Sequence, residues 1–172
     1  AYLGSGHFLE ALFENWESEF LQMGVFVVLS VKLRQKGSAE SKPLDEPSKS
    51  DQDPREHAHE RGVPWPVRRG GMVLVLYENS LAVAFMALFL VSFAMHAAGG
   101  YLRANDENAV RGVARESFAD HLKSSQFWFE SFQNWQSEFL AVLAIVVLTI
   151  FLRQRGSPQS KAVAARHSDT GV

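Results

Sequence analysis

Apolar residues in this chain gather into three runs separated by polar stretches, and each run has the length of a helix. The middle run, residues 80–98, is broken only by Ser80, Ser92 and His96. At a rise of 1.5 Å per residue it would cover roughly 28 Å, about the thickness of a bilayer's hydrocarbon. The outer runs, residues 20–31 and 139–152, are each entered through an amphipathic stretch. In the first, Phe8, Leu12, Phe13 and Trp16 fall on one side of a helix and Glu10, Glu14 and Glu17 on another, which suits a helix entering the membrane through its interface. The pattern predicts one continuous helix over residues 8–34, a spanning helix over 80–98 ended by Gly99-Gly100, and a second long helix over 126–155. Residues 72–76 are either a short apolar lead-in or the first turns of the middle helix.

The outer runs are related. Aligned without a gap, residues 5–42 and 124–161 are identical at about half of their positions, more than shared amphipathic composition produces. Asn15-Trp16-Glu17-Ser18-Glu19-Phe20 returns as Asn134-Trp135-Gln136-Ser137-Glu138-Phe139, and Leu33-Arg34-Gln35-Lys36-Gly37-Ser38 returns as Leu152-Arg153-Gln154-Arg155-Gly156-Ser157. The fold class expected is all-α: a transmembrane helical protein with three spanning helices, built from two related helix-loop-helix units. The second unit has a helix and a loop ahead of its motif and the first does not, so a further spanning helix is expected upstream of Ala1.

The divisions follow from this pattern. Residues 1–37 form the first interfacial and transmembrane helix, and 38–70, rich in Ser, Pro and charge, read as a disordered linker. Residues 71–100 hold the middle span. In 101–125, Val110, Val113, Phe118 and Leu122 recur at near-helical spacing, predicting a short amphipathic helix in an external polar loop. Residues 126–156 are the second copy and 157–172 a mobile polar tail. Trp65 beside Arg68 and Arg69 reads as a headgroup anchor.

Composition narrows the function. Mean hydropathy is −0.08, as in a soluble protein, but the average hides the segregation of apolar runs from charged loops. A net charge of −2 and the absence of a basic face with interleaved aromatics give no case for nucleic acid. With no cysteine, disulfides, thiol catalysis and cysteine-held metals are excluded. No nucleophile elbow, phosphate-binding glycine loop or zinc-protease helix motif is present, so the chain is not expected to be an enzyme or to bind a cofactor. His57 and His59, two residues apart, do not share a helix face and read as solvated linker rather than metal ligands. Arg34, Lys36, Lys42, Arg68, Arg69, Arg153, Arg155, Lys161 and Arg166 flank one end of all three spans. By the positive-inside bias that end and the C-terminus are cytoplasmic, in a multi-pass plasma-membrane protein whose first partner is the bilayer. The two copies then run parallel, with equivalent residues at equal depth.

Depth singles out the candidate residues. If Leu33 and Leu152 mark the cytoplasmic edge, about 20 residues of crossing put the outer edge near Phe13 and Phe132. Glu19 and Glu138 then lie roughly 9 Å inside it, where an ionisable group is costly unless paired, protonated or wet. Asn15 and Trp16 share a face with Glu19, as Asn134 and Trp135 do with Glu138, and His96 on the middle helix is the partner expected at similar height. Three readings follow. The polar residues hold helices together by hydrogen bonds where apolar surface gives no preference over lipid; or the spans are short and each glutamate reaches headgroup water; or the pair handles a proton or cation.

The strings Phe13 through Leu21, Phe132 through Leu140, Pro64-Trp65-Pro66-Val67-Arg68-Arg69-Gly70-Gly71 and Leu152 through Pro158 together resemble an uncharacterised family of small bacterial integral-membrane proteins, a domain of unknown function. The resemblance covers nearly the whole chain. It implies a plasma-membrane location and four spans in the complete family pattern, of which this chain lacks the first; it implies no activity. The function expected is structural or interactive, with the repeated motif packing helices within the chain, in a homodimer or against a membrane-protein partner. The alternative is a small proton- or cation-handling transporter or channel using Glu19 and Glu138.

Overall fold

The computed structural model describes residues 2–44 and 47–171. Ala1, the Asp45 and Glu46 pair of the linker, and Val172 of the tail lie outside the described residues. Among those described, the regular structure is entirely helical: α1 (Gly6–Ser30), α2 (Trp65–Arg69), α3 (Gly71–Glu78), α4 (Ser80–Arg111), α5 (Phe118–Lys123) and α6 (Ser125–Phe151), with short 3-10 turns at Tyr2–Gly4, Lys49–Asp51 and Pro54–His57. Two compact units divide the chain, one comprising Ala1–Val25 with Ala84–Ala141, the other Phe26–Val83 with Val142–Val172. Two helices, α4 and α6, are long and apolar enough to cross a membrane. α1 has 25 residues, but Glu10, Glu14, Glu17 and Glu19 crowd its first half.

The two aligned stretches build the same local structure. Ser5 Oγ accepts from the Phe8 N–H at 3.2 Å, and Ser124 Oγ accepts from the Phe127 N–H at 3.2 Å, so an equivalent serine satisfies a free donor at the start of α1 and of α6. One turn into each motif, the Ser18 and Ser137 hydroxyls donate to the carbonyls of Asn15 (2.8 Å) and Asn134 (2.9 Å). After each helix comes one turn made twice. Ser41 Oγ accepts from Gln35 N at 2.8 Å and Ser160 Oγ from Gln154 N at 2.9 Å, around glycines in the left-handed region, Gly37 at φ 84° and Gly156 at φ 83°.

In the unit holding these turns, the polar tail is tied down rather than free. Gly37 N donates to Thr170 Oγ1 at 2.8 Å and Gly171 N to the Ser38 carbonyl at 3.0 Å. The Lys161 ammonium, nearly fully buried, donates to the carbonyls of Arg166 (3.2 Å), His167 (3.0 Å) and Asp169 (3.0 Å). Burial, reinforced by the nearby Arg153 guanidinium, holds it below the ordinary lysine value. Within the stretch read as a disordered linker, Asp53 caps the Pro54–His57 turn by accepting from Arg55 N, and Ser38 and Ala39 are buried. α3 is a helix of its own, separated from α4 at Asn79.

The largest departure from the sequence reading is at Gly99-Gly100. The pair does not end the middle helix; α4 runs through it to Arg111, taking in the first part of the expected external loop. The glycines are there for contact. A Cβ on Gly99 would stand 2.5 Å from Glu10 N and 2.9 Å from Glu10 Cα, and one on Gly6 would stand 2.7 Å from Arg103 N. The backbones of α1 and α4 thus meet where neither helix has a side chain, the close approach that small residues permit. α5 is the short helix expected later in the loop, but Val110 and Val113 of the predicted amphipathic face are exposed.

Gly99→Ala is therefore expected to destabilise the protein by about 1–3 kcal/mol, because fixed backbone atoms must shift. Gly4→Ala, with nothing within 4 Å of the new methyl, should be near neutral. Comparative unfolding in detergent by denaturant titration checks the pair.

Candidate functional site

Glu10, Glu14 and Glu17 are spaced i, i+4, i+7, so they share one face of α1. The sequence reading gave that face to the membrane interface. In the structure it turns into the protein: Glu10 is 5% exposed and Glu17 fully buried. The facing residues of α4, His96, Gly99, Gly100 and Arg103, follow the same spacing, and the glycine contact brings the two faces together. α6 closes the site with Phe127, Glu130, Ser131, Asn134 and Trp135.

His96 lies at the centre and is fully buried. Its Nδ1 is 2.7 Å from Glu17 Oε2. A carboxylate fixes that nitrogen as the donor, leaving the Nε2 lone pair pointing away from Glu17 whenever the ring is neutral. The other Glu17 oxygen accepts from Trp135 Nε1 at 2.8 Å. The three residues come from α1, α4 and α6, so one carboxylate joins three helices. Phe127, also fully buried, packs against the His96 ring with centroids 5.0 Å apart and keeps water from that side.

Arg103 organises the second half of the cluster. It forms an ion pair through Nε with Glu10 Oε2, although the N–H is not aligned for a hydrogen bond. Its two terminal nitrogens reach Glu107 Oε1 and Glu130 Oε1, both at 3.1 Å. Gln126 Nε2 also donates to Glu130 Oε1, at 2.6 Å. Glu130 Oε2 faces His96 Nε2 across 4.0 Å, too far for a hydrogen bond. Asn134 Nδ2 donates to Glu14 Oε1. Four carboxylates of the cluster, Glu10, Glu14, Glu17 and Glu130, thus meet one guanidinium and one imidazole. A second histidine, His121 of α5, is buried, holds Glu116 Oε1 at 2.8 Å through Nδ1, and has no hydrogen-bond partner for Nε2 among the described residues.

The expected site residues are split by this arrangement. His96, Asn134 and Trp135 are in the cluster. Glu19 is exposed and Glu138 half-buried, and neither is bonded to His96; the partner expected for them is taken by Glu17, two residues from Glu19 and therefore on another side of the helix. Asn15 donates only to the Ala11 carbonyl of its own helix, at 2.7 Å. Trp16 is 43% exposed and stacks edge-on with Phe13 and Phe20. The residues missed were Glu10, Glu14, Glu17, Arg103 and Glu130. The signal for the first three was the acidic stripe on α1; Arg103 and Glu130 lay in segments read as loop and interface.

Compared with known proteins, residues 1–172 match a family model described as a domain of unknown function (DUF6766). No curated protein and no solved structure matches the chain.

Removing Glu17 leaves the buried His96 Nδ1 and the half-buried Trp135 Nε1 without an acceptor, so Glu17→Ala is expected to cost about 3–5 kcal/mol, the range for breaking a buried pair from one side. Glu19→Ala should change stability by less than about 0.5 kcal/mol, as for other exposed positions. Parallel denaturant titrations of the two variants read the difference.

Proposed function

We propose a function for this chain, which belongs to the DUF6766 family, from the way its helices are joined. It is a non-enzymatic, multi-pass plasma-membrane protein with a structural or interaction role, whose α1, α4 and α6 are locked around a buried polar core. The observation that carries the reading is the Trp135–Glu17–His96 link, which ties three helices through one fully buried carboxylate. The aligned stretches act as an internal repeat in local geometry, but they supply different motif positions to the lock: Glu17 from the first, Asn134 and Trp135 from the second. Asn134 and Trp135 reach Glu14 and Glu17, whereas Asn15 and Trp16 bond and stack within their own helix.

A membrane setting is supported by where the apolar surface goes. In the most apolar windows of α4 and α6, only 17% and 6% of the residues are buried, and Leu81, Val83, Leu90, Val91, Leu143 and Leu148 are among those exposed. Such surface suits acyl chains or another subunit, not water. α1 is the third span, with its charged first half outside the hydrocarbon. Exposed Glu19 marks the outer headgroup level, so the cluster at residues 10–17 sits at the extracytoplasmic edge. The basic residues after α1 and α6 then face the cytoplasm. The exposed apolar face of α6 is where a second copy or another membrane protein would pack.

Two measurements test this. Trp135→Phe keeps the ring and deletes the donor to Glu17, and should lower unfolding stability by about 1–2 kcal/mol, while Trp16→Phe is neutral; equal effects would remove the asymmetry on which the reading rests. The chain has no cysteine, so single cysteines at Ser41 and Ser117 can be labelled in intact cells with an impermeant maleimide. Ser117→Cys should react and Ser41→Cys should react only after lysis.

A further inference from the structure

The packing role accounts for Glu17 but not for the atoms that the lock leaves over. Arg103 takes one oxygen from Glu10 (Oε2) and one from Glu130 (Oε1). The second oxygen of each remains: Glu10 Oε1 is buried without a hydrogen-bond partner among the described residues, and Glu130 Oε2 faces His96 Nε2 across 4.0 Å. His96 Nε2 is likewise buried and without a partner. One ligand atom from each of Glu10, His96 and Glu130 lies within 4.8 Å of the others. Buried polar atoms are rarely left unmatched, and here two carboxylates and an imidazole, all able to bind a cation, converge.

We propose that Glu10, His96 and Glu130 form a binding site for one divalent first-row transition-metal ion. The ligands are His96 Nε2 and one oxygen each from Glu10 and Glu130. Two ligand atoms at about 2.1 Å from a tetrahedral ion stand about 3.4 Å apart, so closing the His96–Glu130 gap needs a side-chain movement of roughly half an ångström. The surrounding contacts are of the kind that orient metal ligands. Glu17 holds Nδ1 of the histidine and so presents the Nε2 lone pair, Trp135 fixes Glu17 in turn, and Arg103 and Gln126 hold the far oxygen of Glu130. Imidazole with carboxylate suits ions from manganese to zinc better than the alkali metals or calcium. A dication also offsets the surplus of negative charge that Arg103 leaves.

His121 borders the Glu10 side of the cluster without being one of the three converging ligands. Its unpartnered Nε2 and Glu10 Oε1 flank Gly100, lying 2.8 Å and 3.0 Å from where a Cβ on that residue would stand. The space beside Glu10 is therefore kept by a glycine, with an imidazole on its other side. Water can complete the coordination.

The test uses the full chain, purified in detergent and stripped with a chelator, then titrated with Zn2+. The expected result is one tightly held ion per chain. His96→Gln and Glu130→Gln should weaken binding at least 100-fold, and Glu17→Gln, which keeps every ligand but loses the orienting carboxylate, by about 10–100-fold. His57→Ala with His59→Ala should leave binding unchanged. X-ray absorption at the zinc edge of the unmutated protein is independent of whether variants fold, and should give a nitrogen and oxygen shell with imidazole scattering. Absence of a stoichiometric ion, a shell without imidazole, or binding that follows His57 and His59 instead of Glu130 would overturn the proposal. None of those outcomes touches the helix-locking role, which Trp135→Phe tests separately.

Discussion

The hydrogen bond between Glu17 and His96 is the constraint on which the rest of this arrangement depends. Both side chains are fully buried, and an ionisable group without water or a partner is among the most expensive things a protein can bury. Each is tolerable only because the other is there. Since one comes from α1 and the other from α4, the pair fixes the height and rotation of those helices together. Trp135 adds α6 to the same carboxylate. Apolar contacts alone fix a helix less sharply, because sliding or rotating it exchanges one hydrocarbon contact for another. A hydrogen bond with no alternative acceptor does distinguish one register from the next.

That bond requires close backbones, which explains the glycines. Gly6 on α1 and Gly99 on α4 are opposed where any methyl group would meet main chain. Gly is costly in a helix interior, by about 1 kcal/mol relative to Ala, and two adjacent ones make a reasonable stop signal. In α4 the cost is offset by what the approach allows: the short reach of Glu10 to Arg103 and of Glu17 to His96.

Much of the fold was readable from the sequence because it is local. Apolar runs, serine caps and the Leu-Arg-Gln-x-Gly-Ser turn depend on neighbours within a few residues, so identical strings make identical structure, as the matched bonds of Ser5 with Ser124 and Ser41 with Ser160 show. The continuation of α4 past Gly99-Gly100 was not readable, since a glycine that permits contact and a glycine that ends a helix are the same letter. Rotation about the helix axis was also hidden. α1 turns Glu10, Glu14 and Glu17 inward, while the inward residues of α6, Phe127, Ser131 and Asn134, align with Phe8, Leu12 and Asn15. Partners on α4 decide which face is used, and a single chain's periodicity does not contain them.

The repeat did hold information about the site, but in its mismatches. Identity between the copies drew attention to Glu19 and Glu138, which are equivalent to each other and outside the cluster. The four clustered carboxylates all fall where the copies disagree: Glu10 opposite Phe129, Glu14 opposite Gln133, Glu17 opposite Gln136, and Glu130 opposite Ala11. The physical reason is that most positions shared by both copies serve what both helices need, namely caps, turns and an apolar run. A site made once takes its charges from residues that one copy has and the other lacks, while the shared Asn134 and Trp135 join it in one copy only. Gln133 and Gln136 are exposed on α6, where a charge would find neither Arg103 nor His96. Charge differences between aligned repeats are thus the better guide to where a non-equivalent pair of helices carries its chemistry.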